Sequence, residues 1–134
     1  MRRALLLLSL LAIQTACLHA EPLTAGPEVS EKGAYRVTLS CQFIPPVLNR
    51  FQDCNLHFAP IRAGKAIPDG IAVAARVPGL GRLMPTSPRA RGPLENGNYR
   101  IEGLKFDMAG RWRLRLDIGA GASHDRVDFE IDVK

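Results

Sequence analysis

From Arg111 to Ile118 apolar and polar residues alternate without interruption: Trp112, Leu114, Leu116 and Ile118 fall on one face, and Arg111, Arg113, Arg115 and Asp117 on the other. A period of two excludes an amphipathic helix, whose apolar residues recur roughly every three to four positions, and requires a half-buried antiparallel strand. No other feature narrows the fold as far, and the only Trp lies within it. Just upstream Tyr99 and Ile101 stand against Arg100 and Glu102, and a tight glycine-containing bend joins the two stretches. At the end of the chain Val127, Phe129, Ile131 and Val133 alternate with Arg126, Asp128, Glu130 and Asp132.

Charge selects how these last two strands align. Setting Leu116 opposite Val127, Leu114 opposite Phe129 and Trp112 opposite Ile131 makes every outward pair attractive: Asp117 with Arg126, Arg115 with Asp128, Arg113 with Glu130 and Arg111 with Asp132. A slip of two residues keeps the apolar face but brings Asp117 onto Asp128, or Arg115 onto Arg126. Cross-strand pairs contribute about 0.2 to 1 kcal/mol each, enough together to choose one register.

The rest of the chain carries the same signature in shorter pieces. Tyr35, Val37, Leu39, Cys41 and Phe43 alternate with Arg36, Thr38, Ser40 and Gln42. Pro45 and Pro46 end that strand, because proline lacks the ladder donor. Beyond Asn49 and Arg50, Cys54, Leu56 and Phe58 face inward, with Asn55 and His57 outward. The short run Ile71 to Val77 fits a central strand. Four prolines and three glycines in residues 78–93 make that segment an extended loop, with a brief edge strand near Arg89. Asn96-Gly97 signals a hairpin turn. Together these features predict an all-β fold: a single immunoglobulin-like antiparallel β-sandwich domain of about seven strands over residues 35–134. Residues 21–34 are polar and aperiodic, and read as a flexible leader.

The first twenty residues have the layout of a secretory signal peptide: Arg2 and Arg3, an apolar run from Ala4 to Ile13, and Ala20 as the small residue before the cut. That run is too short for the ~20 residues of a spanning helix. The expected product is periplasmic or secreted, with cleavage after Ala20; lipidation at Cys17 is the alternative and would be the only route to a membrane. Cleavage removes Arg2 and Arg3 from the 18 basic residues, leaving 16 against 13 acidic ones. Such a dispersed, near-neutral balance lacks the footprint of a nucleic-acid binder. Two cysteines remain, Cys41 and Cys54; in an oxidising compartment an even pair suggests a disulfide, and two buried thiols are the alternative.

Little in the sequence supports catalysis. A nucleophile needs a base and an orienting group, and the mature chain has only His57 and His124, neither in a recognisable motif. Gly79 and Gly81 are not followed by the Lys-Ser/Thr of a phosphate loop. The chain reads as non-enzymatic and without a cofactor. Copper is the alternative, since thioethers suit Cu(I); its ligands would be Met84, Met108 and His57. Trp112 reads as a core residue.

The run LMPTSPR at Leu83–Arg89, the run NGNYRIEGLKFDMAGRW at Asn96–Trp112 and IPPVLNRF at Ile44–Phe51 together resemble the YtkA-like domain family over about residues 35–134. The resemblance implies a small exported β-sandwich linked to copper handling or respiratory-oxidase maturation, alongside the related FixH-type proteins. The chain departs from the pattern where the family carries a His-rich loop: Leu80 and Arg82 stand at the histidine positions, and only Met84, Pro85 and Thr86 are kept. Gln52 and Cys54 likewise replace a His and an aromatic residue. The expected role is therefore an accessory module binding an unknown protein partner, with Val77, Leu80, Arg82, Leu83, Met84 and Pro85 as candidate contacts. A Cu(I) carrier, or a purely structural domain lipid-anchored at Cys17, is the alternative.

Overall fold

The computed structural model describes residues 23–119 and 121–134. The described residues form nine strands: β1 (Leu23–Val29), β2 (Tyr35–Cys41), β3 (Phe51–Pro60), β4 (Ile71–Val77), β5 (Arg82–Leu83), β6 (Arg89–Arg91), β7 (Asn98–Lys105), β8 (Gly110–Ile118) and β9 (Asp125–Val133). They build two antiparallel sheets, ordered β1-β2-β3-β7-β6 and β5-β4-β8-β9. The all-β sandwich is the predicted one. Its interior is the apolar face of each alternating run: Val37, Leu39, Leu56, Ile101, Leu104, Phe106, Trp112, Leu114 and Leu116 are fully buried. Trp112 stands edge-on to Phe106, with ring centroids 5.3 Å apart, and its Nε1–H donates to the Met108 carbonyl at 3.1 Å, so burial leaves no indole donor unpaired.

The C-terminal pair adopts the register that the charges select, residue for residue from Arg111↔Asp132 to Asp117↔Arg126. Arg115 grips Asp128 with two nitrogens, each at 2.9 Å. Hydrogen bonds from Arg115 outweigh burial and hold the Asp128 carboxyl below its usual value. The ladder ends at Asp117, which accepts from Arg126 Nε at 3.0 Å and lies 3.1 Å from His124 Nε2.

Two strands have no counterpart in the sequence reading. Strand β1 occupies part of the expected leader, and pairs with β2 from Leu23↔Cys41 to Val29↔Arg36 across a register shift between Ala25 and Glu28. It escapes periodicity because it is an irregular edge strand, the one place where a Pro such as Pro27 is tolerated. Gly26, at φ 90°, makes that irregularity: a Cβ there would sit 2.9 Å from the Glu28 nitrogen and 3.1 Å from the Phe129 ring. The other unforeseen strand, β5, has only two residues, too few to show a period.

The glycine-containing bend also proves to be more than a hairpin turn. Strand β7 belongs to the five-stranded sheet and β8 to the four-stranded one, so residues 106–109 carry the chain across the sandwich. This crossing defines the lower end of the molecule, shared by the start of β3, the end of β4 and the end of β9. At the upper end lie Tyr35, Asn98, Ile118 and Asp125.

Candidate functional site

Cys41 and Cys54 sit opposite each other on β2 and β3, 4.1 Å apart at Cα, and are joined as a disulfide within one sheet. Both face the interior. The bond is compatible with an oxidising, exported location, and among the described residues no helix is long and apolar enough to cross a membrane. The signal peptide, Ala20 and the lipidation candidate Cys17 lie outside the described residues.

His57 and Met108, two of the three candidate copper ligands, stand at opposite ends of β7. His57 pairs with Asn98 at the upper start of β7, and its Nδ1 is 2.8 Å from the Asn98 side-chain oxygen. Met108 lies beyond the lower end of the same strand. Eight residues of strand separate the two levels, about 23 Å at ~3.3 Å per residue. Met84 is buried and Met108 partly so, both packed on the core. An ion pair between Arg82 and Asp107 holds the two methionine-bearing segments to the same end. The other Asp107 oxygen, Oδ1, is buried and has no hydrogen-bond partner among the described residues, so Arg82 is the counter-charge that makes this burial tolerable.

The candidate partner contacts divide by exposure. Val77 and Met84 are core residues, whereas Leu80, on the turn between β4 and β5, and Leu83, in β5, are 67% and 65% exposed. Arg82 and Pro85 are exposed as well. The physical reason is local. Strand β5 pairs only with Arg76 and Val77, and one further bond runs from the Met84 N–H to the Ala75 carbonyl at 2.9 Å. The chain then leaves β4 through Pro85 and Pro88 towards β6 in the other sheet. Backbone groups of alternate strand residues point to the same edge, so Val73, two before Ala75, also presents its N–H and C=O there.

Beside that edge runs a groove of about 270 Å³ lined by Val73, Ala75, Leu83, Met84, Thr86 and Pro88 among others. The sequence reading found the loop side of this groove, where prolines and glycines announce an extended segment. It missed Val73 and Ala75, which read as ordinary core of a central strand. A larger, shallower concavity of about 430 Å³ lies on the outer face of the five-stranded sheet around Ser40, Asp53, Asn55 and Arg100. There the Arg100 guanidinium pairs with Asp53, so its charges are already matched.

The described surface offers an open strand edge beside an apolar groove, and a histidine–carboxylate contact that closes a salt-bridge ladder. No family model, curated protein or solved structure matches the chain.

Proposed function

We propose that this protein is a non-enzymatic, exported accessory module that binds a protein partner, and that an extended segment of the partner adds as a strand to the open edge of β4. The observation that carries this reading is the early end of β5 at Leu83, which leaves the Val73 edge facing the groove. In strand addition, main-chain hydrogen bonds supply affinity and alternate side chains enter pockets; here Met84, Ala75 and Pro88 line the pocket. The resemblance to YtkA-like domains adds the direction: a partner concerned with copper handling or respiratory-oxidase maturation.

A photoreactive residue at Leu83, in cells that make the protein, should give one discrete adduct identifiable by mass spectrometry; the same residue at His57 should not. Val73→Pro removes an N–H that faces the open edge, a place where proline is tolerated. It should abolish the adduct while leaving the circular dichroism spectrum unchanged. Equal adducts at both positions, or an adduct that survives Val73→Pro, would overturn the reading.

The module works without copper. This reading is supported by Leu80 and Arg82 standing where the family carries histidines, and by the distance of His57 from Met108. Competition with a Cu(I) chelator should show no stoichiometric uptake, and Cu(II) should bind weakly. Stoichiometric uptake abolished by Met84→Leu or Met108→Leu would instead make the protein a Cu(I) carrier.

A further inference from the structure

The lower end of the sandwich combines three things that the β4 groove does not explain. First, it carries most of the large exposed apolar side chains among the described residues: Val47 and Leu48 from the connection between β2 and β3, Phe51 at the start of β3, Leu80 from the turn between β4 and β5, and Leu83 in β5; the upper end has Val29, Ile61 and Leu94. The two lower segments flank the crossing at residues 106–109, one through the Asn49 N–H bonded to the Phe106 carbonyl at 2.8 Å, the other through the Arg82–Asp107 pair. Both segments lie at the lower end of the sandwich.

Second, cations stand among these residues. Lys105 Nζ lies 5.2 Å from the Phe51 ring centroid, and the Arg50 guanidinium 4.6 Å from that of Phe43. The carboxylates at this end are matched already, Asp107 by Arg82 and Asp132 by Arg111. That leaves Arg50 and Lys105 with aromatic faces and no carboxylate partner among the described residues.

Third, the chain enters the sandwich here. Leu23, the first residue of β1, pairs with Cys41 at the lower end of β2. In the lipidated alternative only residues 18–22 separate Leu23 from Cys17, a linker of about 20 Å when fully extended.

From these observations we propose that the lower end is a membrane-contact face that rests on an anionic lipid surface, with Leu48, Phe51 and Leu80 in the headgroup boundary and Arg50 and Lys105 at the phosphates. Apolar burial and electrostatic attraction add in such binding. The face meets the β4 groove at Leu83, but Leu48, Phe51 and Leu80, the residues assigned to the headgroup boundary, do not line the groove. It would set the groove at the membrane surface, side-on to whatever is embedded there.

The test uses residues 21–134, which contain every described strand and the whole buried core, so that no lipid chain contributes. Co-sedimentation with vesicles of phosphatidylethanolamine and phosphatidylglycerol at three to one should retain the protein, and vesicles of phosphatidylcholine alone should retain much less. The triple variant Leu48→Ser, Phe51→Ser, Leu80→Ser should lose binding by about tenfold or more, because all three side chains are exposed and none belongs to the core. Val29→Ser, Ile61→Ser, Leu94→Ser at the upper end should bind as the wild type does. Wild-type protein that stays in the supernatant with the anionic vesicles would overturn the proposal, as would equal loss in the two triple variants, or a stable dimer in solution that the lower-end variant alone dissolves. Because no protein partner is present, any of these outcomes leaves the β4-edge reading standing.

Discussion

Asp125→Ala is expected to destabilise the protein by about 3 kcal/mol or more, lowering the thermal midpoint by about 10 °C or more. The carboxylate is buried and tied to the segment between β1 and β2. Its Oδ2 accepts from the Ser30 hydroxyl at 2.6 Å, and its Oδ1 from the backbone N–H groups of Lys32 at 2.9 Å and Arg126 at 2.8 Å. Ser30 Oγ in turn accepts from the N–H groups of Ala34 and Tyr35 at 3.2 and 3.1 Å. Alanine would leave buried donors without partners on both sides of the sandwich. Asparagine is no rescue. The Ser30 oxygen already spends both lone pairs on backbone donors, so an amide nitrogen placed at Oδ2 would confront a hydroxyl that can only donate. Differential scanning calorimetry should therefore place Asp125→Asn well below the wild type; a midpoint within a degree or two would show that the network contributes little.

The same group sets an acid limit. Burial pushes the Asp125 carboxyl up, but hydrogen bonds from Ser30 and from the Lys32 and Arg126 N–H groups, with the charge of Lys32, outweigh it and hold the value below 3.8. Asp117 is held down in the same sense by Arg126 and His124 against its own burial. With a depressed folded value, the unfolded chain binds more protons in the window between the two, so stability rises with pH there. It is fully present above about 3.8, the unfolded value, and lost as pH falls through the folded one. Midpoints measured down the acid limb should fall less steeply for Asp125→Asn than for the wild type.

Replacing both cysteines, Cys41→Ala with Cys54→Ala, should lower stability by about 3 kcal/mol, a large share of a domain total of about 5 to 15 kcal/mol. The bridge spans a sequence separation of 13, and in the chain-entropy account its effect comes from restricting the unfolded ensemble. Intact mass of exported protein without reductant should be lower by two hydrogens than after reduction. Two alkylatable thiols in that material would sink the prediction, and an unchanged urea midpoint in the double variant would show that the sheet holds this connection closed unaided.

Alternation legible in the sequence determined much of this protein. A strand's side chains point to opposite faces with a period of two, so Tyr35–Cys41, Arg111–Ile118 and Arg126–Val133 announce their own conformation and their buried sides. Charge then specified the β8–β9 register, because the outward residues of that pair are ionic and only one alignment opposes unlike signs throughout. Burial of Trp112 and the facing of Cys41 and Cys54 followed from the same parity. Tertiary structure alone decided what parity does not encode. Which strands share a sheet is a matter of crossing points, and nothing in residues 106–109 says that β7 and β8 part company there. Strand β1 exists because β2 offers it an edge and Asp125, about a hundred residues away in the chain, fixes the turn that follows; its own sequence has no period to read. The open edge at Val73 arises from where another strand stops, and the lower face from loops of different origin meeting across the sandwich. Both depend on neighbours distant in sequence, and so they became visible only once the chain was folded.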